Sequence, residues 1–413
     1  MVAAAPLAEE LHALVTTHPD ISAAKHRLDQ AGKRIWEARA PFLPQVRVEG
    51  EYGYEETDSP VQRNQGLGSI RQAREVGRFT VTQKVFDGFR TDGNIKSAIA
   101  QEFKSGYEYE FTMQRLMIRG IAAYTNILRR RSLLQIAVET EQAVQAQLQL
   151  EQERVSRGSG INVDVLQAET RLQGAIERRI DQQNKLDEAI AEYIAVFDRA
   201  PEPGSMSVPA VPVEMLPATL ADALDRAILN NLRLKQSEEE IRDAQQQRKV
   251  SMSDYMPEID IVAEGAVEND NESLVGSRKD IFVGLRASWN IFNGFGTFAA
   301  TQRGSQRIYE TMDTHASVGR DVVKRAQIAW QNYTSFRNRQ AVAERAASTA
   351  ERLFHARGRL RGVGRESVVN LLNAETERNA ARSRAVIARY NTLLQSYQLL
   401  FELGELRLEA ISG

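Results

Sequence analysis

Apolar and polar residues alternate with a period of two in four short segments of the chain. The first two segments are residues 46–55 and 78–85, and the other two are residues 259–268 and 281–291. Successive side chains of a β-strand point to opposite faces, so this period predicts four strands with one apolar and one polar face each. Residues on the predicted apolar face are Val46, Val48, Tyr52, Phe79, Val81, Ile259, Ile261, Val283, Leu285 and Trp289.

Most of the remaining chain has apolar residues at the spacing of an amphipathic helix. The segment 92–157 contains no proline and would form a helix of roughly 100 Å. The glycine turn 158–160 follows it, and either Asn162 or Asp164 could cap the next helix. Residues 57–75 are polar and are predicted to form a loop. The predicted helices cover residues 7–40, 92–157, 162–199, 218–252, 296–359 and 366–403.

The chain contains one internal duplication. The motif Phe-Asp-Gly-Phe at 86–89 returns as Phe-Asn-Gly-Phe at 292–295, which is 206 positions later. An earlier motif that ends in proline, at 42–44, returns at 255–257 with an offset of 213 positions. Ordered markers at two constant offsets indicate a repeat. The change of offset implies that one loop of the first copy is seven residues longer.

The duplication predicts two structural repeats joined by a linker. Each repeat has a helix, a β-hairpin, a long helix, a glycine turn and a further helix. The linker contains five of the eleven prolines of the chain, which is typical of a segment between structural elements. The predicted boundaries are 1–199 for the first repeat with its hairpin at 45–88, 200–217 for the linker, 218–406 for the second repeat with its hairpin at 258–292, and 407–413 for a tail.

Composition narrows the class of protein. The net charge is −2 with 26% charged residues, so there is no basic field for nucleic acid. The absence of cysteine excludes thiol chemistry and cysteine-ligated metals. No apolar run approaches the roughly 18 residues of a transmembrane helix. The start, residues 1–6, fits either a cytosolic protein or a mature exported chain whose signal peptide has been removed.

The two-faced strands favour a membrane over water. Strands of about ten residues with alternating apolar side chains suit a tilted strand that crosses a bilayer. The alternative is a soluble antiparallel sheet with one buried face, which is the commoner structure. However, an isolated two-stranded hairpin is marginally stable in water. Four strands cannot close a barrel, and open edges are not tolerated in lipid, so membrane strands would require several copies of the chain.

Taken together, these features resemble the TolC-like outer-membrane channels of Gram-negative bacteria. The similarity extends over nearly the whole chain, and it is the duplicated order of the motifs that is specific. The motifs are the helix–proline–strand entries at 42–44 and 255–257, the strand exits at 85–88 and 291–294, the segments after the glycine turns at 164–169 and 370–375, and the ending at 403–406.

The resemblance implies a mainly α-helical fold with membrane β-strands. Three chains would form an α-barrel tunnel of long helical hairpins, a coiled-coil-like structure that crosses the periplasm. Four strands per chain would form a twelve-stranded transmembrane β-barrel. The implied partners are two further copies of the chain, a periplasmic adaptor protein, an inner-membrane ABC or RND transporter, and outer-membrane lipid. The implied location is the bacterial outer membrane, with the tunnel extending into the periplasm.

The glycine turns would form the periplasmic tip, where the family meets its adaptor and where the tunnel narrows. Members of the family often carry acidic residues at this aperture, whereas this chain has asparagine in the second repeat and Asp164 in the first. Cation selectivity at the tip is therefore expected to be weaker. The predicted tip, gate and docking residues are Arg157, Gly158, Ser159, Gly160, Asp164, Arg361, Gly362, Gly364, Arg365, Asn370 and Asn373.

Two interpretations remain open for the arginines beside the turns. They could complement the helix dipoles at the C-terminal ends, or they could form salt bridges that hold the aperture shut. The run 129–131 of three arginines is interpreted as a solvated helix face, with an adaptor contact as the alternative.

No residue pattern predicts catalysis, a cofactor or a metal. The glycine pairs at 66–68, 158–160 and 362–364 lack the context of a phosphate-binding loop. The five histidines are scattered, and His12 and His18 are poorly spaced for one metal ion.

The predicted function is that of a passive exit duct in the outer membrane, energised by an inner-membrane transporter through the adaptor. Type I protein secretion is favoured because the linker end at 212–217 and the strand exit at 289–294 look more like that branch. The alternatives are a small-molecule efflux channel of the same fold and, in a different class, a soluble coiled-coil scaffold.

Overall fold

The computed structural model describes residues 7–58, 60–64, 66, 68–158, 160–202, 206–270, 276–363 and 365–410. This part of the chain is mainly helical and contains four antiparallel strands, as predicted. None of its helices is long and apolar enough to cross a membrane. The strands are β1 (Gln45–Thr57), β2 (Ile70–Phe86), β3 (Glu258–Asn269) and β4 (Ser277–Ser288). The helices are α1 (Leu7–Thr17), α2 (Pro19–Arg39), α3 (Pro60–Asn64), α4 (Arg90–Ser156), α5 (Asn162–Phe197), α6 (Leu220–Asn230), α7 (Leu232–Met252), α8 (Gly296–Gly362) and α9 (Val368–Glu402).

The long helices agree closely with the prediction. Helices α4 and α8 each contain 67 residues, and α5 and α9 contain 36 and 35 residues. These segments have few interior glycines and no interior proline, so nothing in them interrupts the helix. Helices α4 and α8 occupy equivalent positions in the two predicted repeats, and their equal lengths agree with a duplication.

The first predicted helix of each repeat is instead two helices. The expected continuous helix 7–40 breaks at His18, whose Nδ1 accepts a hydrogen bond of 3.1 Å from the backbone amide of Asp20. The expected helix 218–252 breaks at Asn231, whose Oδ1 accepts one of 3.0 Å from the amide of Arg233. In both repeats a polar side chain thus satisfies a free amide and begins a new helix. The apolar period continues through the break, which is why the pattern did not show it.

The first hairpin is longer than the sequence predicted. Strand β2 begins at Ile70, so the predicted loop over 57–75 is wrong for its last residues, and the short helix α3 lies inside it. Thr57 and Ile70 form the last pair of the first hairpin. With the offsets of 213 and 206 positions, they correspond to residues 270 and 276 of the second hairpin. The segment between the strands is therefore seven residues longer in the first hairpin, which is where the change of offset lies.

The two hairpins pair residue for residue in the same register. Gln45 faces Thr82 in the first hairpin, and the equivalent residues Glu258 and Ser288 face each other in the second. The strand order is β1-β2-β3-β4, so the β2–β3 pair joins the two repeats. Strands β1 and β4 form the two ends of the sheet in the described part of the chain.

The turn from strand to long helix is also the same in both repeats. Gly88 and Phe89 have φ values of 66° and 67°, and their equivalents Gly294 and Phe295 have 64° and 65°. This left-handed conformation is strained for phenylalanine. In each copy a side chain stabilises the turn: Asp87 accepts a hydrogen bond of 2.9 Å from the amide of Thr91, and Asn293 accepts one of 3.3 Å from the amide of Thr297. The Phe-Asp-Gly-Phe marker therefore encodes a defined turn with a helix cap.

The described chain divides into two compact units. One contains the sheet and the helix segments that adjoin it, over His26–Tyr107 and Gln236–Ala316. The other contains α1, α5, α6, α9 and the remaining parts of α4 and α8. Its main core is built around fully buried Leu11, Ile121 and Tyr397. The Tyr397 hydroxyl donates to the backbone oxygen of Ala210, at 3.0 Å, which fixes the linker on this core.

Candidate functional site

The strand register collects the predicted apolar residues on one face of the sheet. Val48, Phe79, Gly265 and Ile281 form one cross-strand row, and the neighbouring rows on this face have the same character. The other face carries charged residues such as Arg47, Glu264 and Arg286. Of the predicted residues, Trp289 lies just beyond the end of β4, where its indole nitrogen donates to the oxygen of Tyr255 at 3.2 Å.

The apolar face of the sheet is exposed in the single chain. Val48 is 76% exposed, Val283 is 72% and Leu285 is 71%. Large apolar side chains at this density are unusual on a surface in contact with water. Charged side chains on the opposite face form ion pairs across the strands, among them Arg286 with Glu264 at 2.7 Å and Arg74 with Glu51 at 3.1 Å. The sheet thus has one face suited to lipid and one suited to water.

The first glycine turn joins α4 to α5. Gly158 has a φ of 74°, and its amide donates to the oxygen of Val155 at 2.9 Å. A Cβ atom on Gly160 would lie 3.0 Å from the amide nitrogen of Val155, so a side chain there would crowd the end of α4. Ile161 is the N-cap residue of α5 and provides no side-chain hydrogen bond, so neither Asn162 nor Asp164 caps this helix. Ser159 lies outside the described residues.

The second glycine turn joins α8 to α9 and has a different construction. Ser367 caps α9 by accepting from the amide of Asn370 at 3.2 Å. The Asn370 side-chain nitrogen donates to Glu366 Oε1 at 2.6 Å, and Arg357 donates to the Asn370 backbone oxygen at 3.2 Å. The hydrogen bond from Asn370 holds the pKa of the Glu366 carboxyl below its usual range. Gly364 lies outside the described residues.

Asn373, Arg365 and Gly362 complete the predicted residues of the second turn. Arg171 from the first repeat approaches Asn373 Oδ1 at 3.5 Å, and Arg365 donates its backbone amide to the oxygen of Leu360 at 2.9 Å. Gly362 is the last residue of α8. Sequence reasoning missed the roles of Glu366 and Ser367, although a serine directly before an apolar helical run is a recognised N-cap signal.

The arginines beside the turns divide into two kinds. Arg157 is exposed and pairs with Glu153 of its own helix at 3.2 Å. Arg361 is mostly buried and lies 3.4 Å from Glu151, which belongs to the other repeat. Glu151 is only 2% exposed and also contacts Arg154 at 3.3 Å. A buried carboxylate requires such partners, so the contact between Arg361 and Glu151 ties α8 to α4. Nothing in the local sequence pattern pointed to Glu151.

Exposed apolar side chains surround both glycine turns. On the first, Ile161, Val163 and Leu166 are each more than half exposed, and on the second Val363 is 70% exposed. Helix surfaces that remain in water normally carry polar residues at such positions. These four residues, which we call the turn patch, therefore form a surface suited to a protein partner.

A buried carboxyl group lies near the start of α9. Burial raises the pKa of Glu375, while the neighbouring Arg378 and Arg171 act in the opposite direction. The Arg378 guanidinium also stacks over the ring of Phe354, at 4.1 Å from its centre. Charged and aromatic side chains therefore both contribute contacts that hold the first turns of α9 in place.

The histidines and the arginine run have structural contacts. His315 hydrogen bonds to Ser237 at 2.8 Å, and His355 pairs with Glu351 at 3.1 Å. The described residues contain no group of three or more side chains that could hold a metal ion. Arg129 donates to Asn391 of the other repeat at 3.2 Å, and burial lowers its pKa. The arginine run 129–131 is therefore not only a solvated helix face, because Arg129 packs against the other repeat.

The family of the chain follows from comparison with known proteins. Residues 11–193 and 223–405 match the family model described as outer membrane efflux protein. One matched segment lies in each repeat, and together they cover most of the chain. The chain belongs to this family, and it is an outer-membrane channel protein, not an enzyme. The predicted resemblance to the TolC-like channels is confirmed.

Individual relatives are similar over most of their length. The alkaline protease secretion protein AprF of Pseudomonas aeruginosa is 22% identical over 97% of this chain and 84% of its own. The outer membrane protein TolC of Escherichia coli is 22% identical over 94% of this chain and 80% of its own.

Solved structures share the fold at low sequence identity. VceC of Vibrio cholerae superposes with a TM-score of 0.79 at 13% identity, covering 96% of both chains. The CmeC outer membrane channel of Campylobacter jejuni superposes with a TM-score of 0.80 at 11% identity, covering 97% of this chain and 86% of its own.

Proposed function

We propose that three copies of this chain form the outer-membrane exit duct of a tripartite export system, and that the exported substrate is a protein in the type I secretion pathway. The observation that carries the proposal is the sheet with one exposed apolar face and one charged face, ending in β1 and β4. Such a sheet suits a barrel wall between lipid and a wet lumen. Its open ends require further copies, because unpaired backbone groups are not tolerated in lipid.

Protein secretion is supported by the similarity to AprF, whose name states that it secretes alkaline protease. Small-molecule efflux is the second candidate, because the family description and the efflux protein BepC of Brucella suis point to it. The energy would come from an inner-membrane transporter through a periplasmic adaptor, an ABC transporter in the first case and an RND pump in the second.

Deletion of the gene in its native host separates the two candidates. If the chain serves secretion, the deletion removes one or more proteins from the culture medium and leaves the inhibitory concentrations of drugs and dyes unchanged. A fall in those concentrations with an unchanged secreted proteome would favour efflux. Complementation with the full chain must restore whichever phenotype is seen.

We further propose that the turn patch docks the adaptor. Its apolar residues are exposed at both turns, and the exposed Arg157 and Arg365 belong to the same two turns, which suits a helical hairpin with apolar and acidic residues. Leu166→Glu should abolish export while the trimer remains intact, because it places a charge in the apolar contact. Leu229→Glu is the matched control, since Leu229 is 70% exposed on α6, away from the patch. Unimpaired export by Leu166→Glu would refute the docking assignment.

A further inference from the structure

A cleft of about 440 Å³ lies between α4, α5 and α9. The three segments that line it, residues 130–144, 171–185 and 372–387, all belong to the compact unit that contains the main core. The lining residues recur at helical spacing, so one face of each helix borders the cleft. A single chain forms this space, which we call the three-helix cleft.

Side-chain hydrogen bonds hold α5 and α9 against α4 at several heights. The bonded pairs, at 2.6 to 3.2 Å, are Asn126–Glu192 and Glu141–Arg179 towards α5, and Arg129–Asn391 and Thr140–Asn379 towards α9. On both sides the partner's number falls as the α4 number rises, so both helices run antiparallel to α4. The walls of the cleft are therefore fixed before any ligand binds, which lowers the entropic cost of binding.

The floor of the three-helix cleft is apolar and elongated. Leu133, Ile136 and Val144 of α4 are buried, as is Leu372 of α9. From Arg130 to Val144 the cleft follows α4 over about 21 Å, because an α-helix rises about 1.5 Å per residue. A space of this volume and length is narrow, so it suits an extended alkyl chain better than a compact ring system.

The end of the cleft at Arg130 is basic. Lys185 lies towards this end, because it is six residues beyond Arg179, which contacts Glu141. In the described part of the chain, the Nε atom of Arg130 is buried without a hydrogen-bond partner. Burial lowers the pKa of the adjacent Arg129, and repulsion from Arg130 lowers it further. A buried donor without a partner, next to a second positive charge, indicates a site for an anion.

The opposite end of the cleft contains a carboxyl group. Glu375 is 8% exposed and lies level with Val144, because the contact of Asn379 with Thr140 fixes the height of α9 against α4. The nearest basic group among the described residues is that of Arg378, at 3.9 Å, which is beyond hydrogen-bond distance. An anionic head group at this end would approach the Glu375 carboxylate, so the two ends of the cleft are not equivalent.

Two arginines near Glu375 offset the charge of that carboxylate. Arg171 lowers the Glu375 pKa, against the effect of burial, and Arg178 lines the same end with an exposed side chain. At the other end, Lys185 pairs with Asp181 at 2.6 Å, but Arg130 adds a second cation there. The charges of the cleft therefore favour an anionic head group at the Arg130 end.

The basic residues at this end are not required by the packing of the long helices. With the offset of 206 positions, Arg130 corresponds to Phe336 and Lys185 corresponds to Asn391. Helices α8 and α9 of the second repeat reach nearly the same lengths as α4 and α5 without these two cations. The positive charge is therefore a feature of this cleft and not of the repeated fold.

We propose that the three-helix cleft binds an amphipathic organic anion with an alkyl chain, such as a fatty acid. The carboxylate accepts from Arg130 and Lys185, and the chain lies over Leu133 and Ile136 towards Val144. The inference goes beyond the proposed duct function, because it requires only the folded chain. Two sources share this chemistry: a fatty acid retained from the membrane and an amphipathic molecule on its way out of the cell.

Photolabelling of the full chain in lipid nanodiscs tests the site. The probe is dodecanoic acid with a diazirine at the end of its chain, and the labelled peptides are mapped by mass spectrometry. Peptides around Val144 and Glu375 should carry the label, because the end of the chain lies there. An excess of dodecanoate should remove this label, whereas label taken up non-specifically from the lipid should remain. The absence of saturable label in the cleft would overturn the proposal.

Two arginines of the same cleft provide a matched pair of variants. Arg130→Gln should reduce the label at Val144 about tenfold at subsaturating probe, because a charge-assisted hydrogen bond is lost. Arg178→Gln should reduce it less than about twofold, because that charge is exposed and lies at the other end. Circular dichroism checks that both variants are folded. If Arg130→Gln does not fold, Lys185→Gln gives the same test. An equal reduction in Arg178→Gln, or no reduction at the Arg130 end, would overturn the proposed head-group position.

A cation with the same alkyl chain is the alternative occupant. Dodecyltrimethylammonium would place its head group at Glu375, so Glu375→Gln would abolish its binding. For the proposed anion, the same variant should keep or increase the label, because it removes the opposing carboxylate. Competition by dodecyltrimethylammonium but not by dodecanoate would overturn the assignment of an anion.

Native mass spectrometry of the untreated protein separates the two sources of the anion. A fatty acid retained from the membrane adds its mass to the purified chain. An exported molecule, in contrast, binds only when it is supplied, and the untreated chain then has its sequence mass while the probe still labels the cleft.

Discussion

The two repeats are alike at the sheet and different at the glycine turns. Both hairpins have the same register, and both strand-to-helix turns use a left-handed glycine and phenylalanine. At the other ends of the long helices, one turn has Ile161 at the helix cap and the second has Ser367. In the proposed barrel every strand needs a hydrogen-bonded neighbour on each side, and this requirement applies to both hairpins. The turns are not subject to that requirement, and we propose that their differences serve gating and partner recognition.

The largest expected effect concerns the shared sheet. Leu285→Arg should prevent assembly in the outer membrane, because arginine on the lipid face of a barrel costs about 2–4 kcal/mol per copy near the bilayer centre. The oligomer is measured by gel electrophoresis of unheated membranes. Ser288→Arg, on the charged face of the same strand, is the matched control and should assemble. A normal yield of the Leu285→Arg oligomer would show that this face does not contact lipid.

A second prediction compares the packing of the two repeats. Leu11 is fully buried on α1, whereas its equivalent Leu224 on α6 is half-buried. Leu11→Ala should therefore destabilise the chain by about 2–5 kcal/mol, the cost of a cavity at a well-packed site. Leu224→Ala should cost clearly less. The unfolding midpoints of the purified variants in denaturant measure both effects, and equal losses would contradict the difference in packing.

The third prediction concerns the contact that ties the repeats together near the turns. Arg361→Ala removes a partner of the buried Glu151 carboxylate and should loosen α8 from α4. If this contact holds the aperture closed, the single-channel conductance in planar bilayers rises. Arg157→Ala serves as the control and should leave conductance unchanged, because Arg157 is exposed and pairs with the exposed Glu153 of its own helix. Equal conductance of both variants would assign Arg361 a purely structural role.

The smallest expected effect concerns ion selectivity at the second turn. Asn370→Asp places a carboxylate at a position that lies 2.6 Å from Glu366. The added charge should raise cation selectivity, read as a shift of the reversal potential in a salt gradient. It should also remove the hydrogen bond to Glu366, because the two carboxylates repel each other. The double variant with Glu366→Gln keeps the added charge without the repulsion, and an unchanged reversal potential there would refute the selectivity argument.

Much of the fold could be predicted because the sequence repeats its signals. The four strand segments show a period of two, and the long helices contain no interior proline, so both were identified from local patterns. The breaks at His18 and Asn231 were missed because the apolar spacing continues across them while a side chain caps a new helix. The start of β2 was missed because most residues of its first part, 71–75, are polar.

The candidate site was predicted less completely. The glycine turns and their arginines were identified from the sequence, but the structure distinguishes Arg361, which contacts the other repeat, from Arg157, which does not. Glu151 was not foreseen, because its partner lies 210 positions away and no local pattern marks the pair. Asn370 was interpreted only as a lost charge, whereas its side-chain nitrogen also donates to Glu366 at the start of α9. Contacts between distant segments were thus the part that the sequence did not reveal.

The most direct test of the central claim is the mass of the intact particle extracted from outer membranes in detergent. Native mass spectrometry should give three times the chain mass of 46.3 kDa, because the open strand ends require neighbouring copies. The full chain at its natural expression level is the appropriate sample. A stable monomer that needs no detergent would contradict the account, since its exposed apolar sheet would then have no lipid and no partner to cover it.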